Sequence, residues 1–343
     1  MPVKNRRQRR RRRHRQLVAH SRLVDRENPL EVMTEAEVFQ RFRFRPASVL
    51  YIVNLLVPFL QRQTLRSCAL TPLLQVLCTL RFLATGGFYS FVADTFSSIS
   101  PSSVCRAVKS VCQGLCQLSR RFIQMPTGNQ ADEVKGRFHS IAGFPNVLGC
   151  VDGTFIKIQA PSENESDFVN RKGYHSLNVQ MICDAEFKIL NCAAKWPGSV
   201  HDSRIFRDSH ISVAFENGRY KGFLLGDSGY PCKPYLMTPF PAPSTPSEAK
   251  YNKCHAKTRV IIEQTFGILK KRFSCLHSGL RTTPQKACDI TLSCAVLHNI
   301  GIDRNDILDV DDGYINQGDI NLNIRDQWDG KNVRNYICQS FFT

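Results

Sequence analysis

The sequence has no apolar run long enough to cross a bilayer: its most apolar early stretch, Val49–Leu60, is short and contains Asn54 and Pro58. The N-terminus also lacks the position and the small-residue cleavage site of a secretory signal. Neither secretion nor membrane insertion is expected. No CxxC pair occurs among the 14 cysteines, so no zinc double pair is spelled out, and scattered thiols suit a reduced, intracellular chain. His255 beside Cys254 has no companion pair, which argues against zinc. Acids are scarce as well, with 29 Asp+Glu against 46 Lys+Arg and a formal net charge of +17. Such an excess favours polyanionic partners, DNA among them. What is present in ordinary amount is apolar residues, 42% of the 343, so the chain is long and apolar enough to bury a core.

Much of the positive charge lies in residues 1–23, which hold ten Lys and Arg side chains and no acid. This segment has little to bury and is expected to be a disordered basic tail. Its arginines suit nuclear targeting or attraction to nucleic acid, and a plain solubility tail is the other reading. The remaining chain, with 36 basic against 29 acidic side chains, is only mildly basic.

Residues 24–135 read as an all-helical domain. Val49, Ile52, Val53, Leu56 and Leu60, then Leu73, Leu74, Leu77, Leu80 and Leu83, recur at helical spacing. Phe88–Phe96 reads as a short helix and Ser97–Ser100 as a turn. Ser100-Pro101 then looks like an N-cap and a first-turn proline. On the helix that follows, Val104, Val108, Val111 and Leu115 form one stripe, while Arg106 and Lys109 project elsewhere. Helix, turn and helix with a polar outer face resembles a helix-turn-helix, with Arg106 and Lys109 as DNA-contact candidates; ordinary helical packing gives the same pattern.

Residues 136–305 change periodicity and read as a mixed α/β domain. Val147–Val151, Phe155–Ile158, Leu177–Cys183, Phe187–Ala194, Phe223–Leu225 and Tyr235–Met237 are the expected strands. Helices are expected at Ser203–Arg207, Lys257–Phe273 and Gln285–Ile302. Residues 306–343 begin with Asp306, Asp309, Asp311 and Asp312 and read as an acidic, irregular tail.

Three acids stand out in the α/β half. Asp152 is expected to end the strand VLGCV, and Asp227 to end the strand FLLG. Glu263 lies beside the apolar stripe of Ile262, Phe266, Leu269 and Phe273. Brought together from two strands and a helix, they would make an oxygen-rich, strongly negative pocket that divalent cations compensate. Mg2+, or Mn2+ in its place, suits such ligands. In a basic chain the fitting chemistry is two-metal attack on DNA phosphodiesters. Each acid taken alone is more readily a turn, cap or surface carboxylate, and only the trio together points to a site. The loop Asn170-Arg171-Lys172-Gly173-Tyr174-His175 offers Arg171 and Lys172 as phosphate contacts or is simply a solvated loop. Trp196–Ser199 reads as a structural turn, and His298-Asn299 as buried core.

Six ordered stretches, GCVDGTFIKI, NRKGYHSLNVQMICD, WPGSVHDSRIF, LLGDSGYPCKPYLMTPF, YNKCHAKTRVIIEQTFGILKKRF and CAVLHNI, resemble the nuclease domain of PIF/Harbinger transposases. Over roughly residues 30–305 the chain is similar to the vertebrate Harbinger transposase-derived nucleases. The resemblance implies a ribonuclease-H-like fold and an Asp-Asp-Glu metal triad of Asp152, Asp227 and Glu263. Asp202 in VHDSR matches a family acid and is carried as a fourth metal ligand, an N-cap role being the alternative. The resemblance also implies a Myb-like (SANT) DNA-binding partner and a nuclear site of action with a cytoplasmic pool, and it leaves room for a homo-oligomer. The arginine-dense N-terminus departs from the family pattern and points to autonomous nuclear entry. A domesticated DNA-binding or regulatory protein without turnover, and a still-active transposase, remain the competing readings.

Overall fold

The computed structural model describes residues 28–61, 69–96, 99–306 and 328–343. The basic tail 1–23, the turn residues Ser97 and Ser98, and Asp309, Asp311 and Asp312 lie outside the described residues. Two compact units divide the chain between Gly114 and Leu115.

The described part of the first unit is helical. Its helices are α1 (Pro29–Val32), α2 (Glu35–Phe42), α3 (Pro46–Leu60), α4 (Pro72–Thr85), α5 (Tyr89–Thr95) and most of α6 (Pro101–Gln117). Local chemistry sets the boundaries. Thr34 and Glu37 form a reciprocal capping box that starts α2, and Thr71 caps α4 by accepting from the Leu74 N–H at 3.3 Å. Gly86, at φ +65°, closes α4 in the left-handed conformation that glycine adopts without strain. Ser100 accepts from the Ser103 N–H at 3.2 Å and opens α6, as its sequence predicts. The apolar stripe of α6 at Val104, Val108 and Val111 is buried, and Arg106 and Lys109 are exposed. A short helix, a break and a longer helix are therefore present at α5 and α6.

In the second unit the remainder of α6 leads through α7 (Ser119–Phe122) and α8 (Asn129–Ala142) to a five-stranded sheet. Its strands are β1 (Val147–Lys157), β2 (Ser176–Cys183), β3 (Ile189–Pro197), β4 (Phe223–Leu225) and β5 (Leu236–Met237). The helices α9 (Asp202–Arg207) and α10 (His210–Glu216) connect β3 to β4. After β5 come α11 (Pro246–Arg272), α12 (Cys275–Ser278), α13 (Pro284–Asp303) and α14 (Trp328–Phe341). The order is β3-β2-β1-β4-β5. The first three strands are antiparallel neighbours, and β4 and β5 run parallel to β1. Every residue of β2 is buried, because α11 covers one face of the sheet and a core of Val151, Ile182, Phe206, Phe215, Leu224 and Tyr230 fills the other.

Three expectations need correction. Asp152 does not end a strand: β1 continues through it to Lys157, since the pairing with β2 is unbroken from Cys150 to Lys157 and Gly153 is accommodated within it. Helix α11 begins eleven residues before the expected Lys257, at Pro246, where Thr245 caps it by accepting from the Glu248 N–H at 3.2 Å. Its first turns are mostly polar, so the apolar stripe that signals a helix appears only later. The segment 306–343 is not irregular throughout, because α14 folds back onto α11 and β5. Ile337, Cys338 and Phe342 are buried there, and the Arg334 guanidinium lies 4.4 Å from the Phe240 ring centroid. All the cysteines among the described residues are free thiols.

Asn299 joins α13 to the sheet. Its Oδ1 accepts from the Ile189 N–H at 2.8 Å, and its Nδ2 donates to the carbonyls of Ile189 at 2.7 Å and Phe122 at 2.8 Å. Asn299→Ala leaves these backbone groups buried without their partner, and chemical denaturation should show a loss of about 3 kcal/mol or more. A loss under about 1 kcal/mol would mean that water replaces the amide.

Candidate active site

Parallel pairing brings two of the acids together. Cys150 on β1 is in register with Leu225 on β4, and the same step of two residues leads from Cys150 to Asp152 and from Leu225 to Asp227. The two carboxylates therefore lie side by side where β4 ends. Strand alternation gives Cys150 and Asp152 the same face. That face meets α11: the Cys150 thiol lies 3.4 Å from the Thr258 carbonyl, and Arg259 Nη1 donates to Asp152 Oδ2 at 3.0 Å. One turn along α11, Glu263 stands beside Arg259, whose Nη2 donates to Glu263 Oε1. Arg259 thus bridges a strand acid and the helix acid, and all three side chains are largely buried.

The remaining family acid, Asp202, occupies the first turn of α9 without capping it. Its Oδ1 instead accepts from Asn178 Nδ2 at 2.8 Å, and the same amide reaches the Val200 carbonyl at 2.8 Å. The carboxylate lies directly over Gly153, where an added Cβ would stand 2.2 Å from Oδ1. Only glycine at 153 admits Asp202 to this position. In Gly153→Ala the carboxylate has to move and lose Asn178, and a destabilisation of about 1–3 kcal/mol is expected in thermal melts. Adding Asn178→Ala to that variant should then cost less than it does in wild type, since only the bond to the Val200 carbonyl is left to lose; full additivity would refute the coupling.

Electrostatics follow the geometry. Burial, with the charges of Asp227 and Asp202, pushes the Asp152 carboxyl up to about 8, against the pull of Arg259. Asp202 is also pushed up, first by burial and then by Asp227, although Asn178 and Arg171 oppose it. Burial and the same three aspartates hold the Tyr230 phenol protonated, its hydroxyl 3.4 Å from Gln180 Oε1. The donor set is all oxygen and its members repel one another, which is the chemistry a hard divalent cation satisfies. Among the described residues no three His, Cys, Asp or Glu side chains close on a common point. Between Asp152 and Glu263 the local cation is the Arg259 guanidinium.

Two further groups frame the site. Lys270, two turns after Glu263, donates to Thr154 Oγ1 at 2.7 Å and so ties α11 to β1; burial and then Lys172 lower it to about 8. The Asn170–His175 loop is built on Asn170, whose Oδ1 accepts from the Lys172 N–H at 2.9 Å and whose Nδ2 donates to Ser176 Oγ at 2.9 Å. Arg171 and Lys172 are exposed at this loop, and Arg171 lies close enough to lower the Asp202 carboxyl. Sequence reading missed Arg259, Asn178, Tyr230 and Lys270. Only Arg259 had a signal there, a cation four residues before the helix acid.

A mixed α/β unit with one acid inside a central strand, another just after the parallel neighbour strand and a third on the covering helix suits a DDE endonuclease. Residues 151–299 match the family model described as DDE superfamily endonuclease, a span that holds Asp152, Asp202, Asp227 and Glu263. The human protein named "Putative nuclease HARBI1" is 37% identical over 280 residues, covering 80% of each chain. Its Xenopus laevis counterpart is 35% identical over 281 residues, 80% of this chain and 81% of its own. "Protein ALP1-like" of Arabidopsis thaliana is 27% identical over 270 residues, 73% of this chain and 66% of its own. The chain belongs to the Harbinger transposase-derived nuclease family. No solved structure matches it.

Proposed function

We propose that this chain is a nuclease that hydrolyses DNA phosphodiester bonds with divalent cations, Mg2+ or Mn2+, held by Asp152, Asp227 and Glu263. The observation that carries the reading is the approach of Asp152, inside β1, and Asp227, just past the end of the parallel strand β4, with Glu263 on the helix that packs over β1. The strand order supports a ribonuclease-H-like assignment for this unit. When bound, the cations would activate the attacking water and stabilise charge at the leaving oxygen.

The protein's own side chains supply the rest. Asp152, in the central strand, and Asp227, in the turn that follows β4, present ligand oxygens from the rigid sheet, which limits reorganisation during reaction. Asn178 fixes the orientation of Asp202, the proposed fourth ligand. Lys270 holds the Glu263 helix against β1. Arg171 and Lys172 contact the DNA backbone beside the acids, and Arg106 and Lys109 contact DNA from the exposed side of α6. A Myb-like partner supplies further DNA binding in this reading, and the nucleus is the compartment.

Nicking of supercoiled plasmid by the purified chain, with and without a Myb-like partner, in Mg2+, Mn2+ or EDTA, tests the proposal. Metal-dependent nicking that disappears in Glu263→Gln is the expected result. Intact DNA binding with no nicking in any condition would turn the reading to a non-catalytic DNA-binding protein.

A further inference from the structure

We infer that Arg259 is an internal counter-ion that occupies the acid site in the metal-free protein and competes with the incoming divalent cation. The inference rests on the metal-site reading above. Three observations carry it. First, Arg259 divides its guanidinium between the two elements of the site, with Nη1 on Asp152 Oδ2 at 3.0 Å and Nη2 on Glu263 Oε1. Second, the other oxygen of Asp152 is engaged too, accepting from the Gly153 N–H at 2.7 Å. Third, the arrangement is buried: the Arg259, Asp152 and Glu263 side chains are 17%, 17% and 8% exposed.

These facts have a consequence for binding. A planar guanidinium fork seated on two carboxylates uses the lone pairs that a small cation would coordinate, and its own charge repels that cation at close range. In a largely buried site there is little water to screen the repulsion. Metal can bind both carboxylates only when the guanidinium has swung away from at least one of them. The apparent dissociation constant is then the intrinsic one divided by the fraction of molecules with Arg259 withdrawn. A protein in which about one molecule in ten is withdrawn binds about tenfold more weakly than its ligands alone would. The same contact gives two of the site's acids, Asp152 and Glu263, a partner of opposite charge, and a buried carboxylate without one is strongly destabilising. Arg259 therefore stabilises Asp152 and Glu263 in the absence of a bound cation and sets the concentration at which a cation takes its place.

Calorimetric titration of the full chain with Mn2+, joined to thermal melts with and without Mn2+, tests this. Arg259→Gln keeps a polar side chain but removes the charge. It should bind Mn2+ about tenfold more tightly than wild type. Without metal its melting temperature should be lower than wild type, and saturating Mn2+ should raise it by more. Arg259→Lys, which keeps the charge but cannot form the two-pronged contact, should fall between them and serves if the glutamine variant does not fold. Unchanged or weaker Mn2+ binding by these variants, with wild-type binding intact, would overturn the counter-ion role and make Arg259 a residue that positions the ligands. Absence of Mn2+ binding in wild type and variants alike would instead overturn the metal-site reading on which the inference stands.

Discussion

Asp152→Asn, Asp227→Asn and Glu263→Gln are each expected to lower metal-dependent nicking of plasmid DNA by about a thousandfold or more, with DNA binding retained. An amide keeps the size of the side chain but removes the anionic oxygen. At a site built on closely placed acids, that loss falls on the electrostatics that catalysis draws on, not on packing. Asp152 should be the most sensitive position, because its carboxyl feels burial and the charges of Asp227 and Asp202 and is paired to Arg259. Asp202→Asn should have a smaller effect, since Asp202 Oδ1 already accepts from Asn178. Single-turnover nicking in Mn2+ gives the comparison directly. A rate within about tenfold of wild type in any of the three variants would remove that residue from the ligand set.

A second large effect is expected in the response to acid. Burial pushes His255 and His298 down to about 4, in each case against a hydrogen bond to a backbone carbonyl, Met237 at 3.1 Å for His255 and Phe187 at 2.8 Å for His298. In the unfolded chain these imidazoles take up a proton near 6.5. Between the two values the unfolded state binds more protons, so stability falls as pH is lowered from about 6.5 to about 4. Each histidine contributes a loss of about 3 kcal/mol over that window. Asp152 and Asp202, which are raised, act in the opposite sense, so the total slope alone does not report the histidines. A difference does: between pH 7.5 and pH 4, the urea stability of His298→Gln relative to wild type should improve by about 3 kcal/mol. A gap that does not move with pH would mean that His298 takes up its proton as readily in the fold as in the unfolded chain.

Individual elements indicate what could be read in advance. The stripe of Val104, Val108 and Val111 located α6 and its buried face, and Ser100-Pro101 located its start, because caps and apolar spacing act within a few residues. Asp227 was found beside a short buried strand for the same reason. The length of α11 was not legible: its polar first turns are helical through the Thr245 cap and through Tyr251 and His255, which pack with Phe144, a residue more than a hundred positions away. Nor was α14, where the buried Ile337 and Cys338, and Phe342 just past its end, acquire meaning only against α11 and β5.

By itself the sequence determined which acids this protein has to work with, their order, and the helical and α/β character of its two halves. Motif residues and local periodicity are properties of neighbouring positions along the chain. Tertiary structure alone decided that Asp152 lies inside a continuous strand beside Asp227, that Asp202 reaches β1 only over Gly153, and that Arg259 joins Asp152 to Glu263. Those relations depend on strand register and helix placement, which join positions 49 to 111 residues apart, and no local preference of the chain specifies such distances.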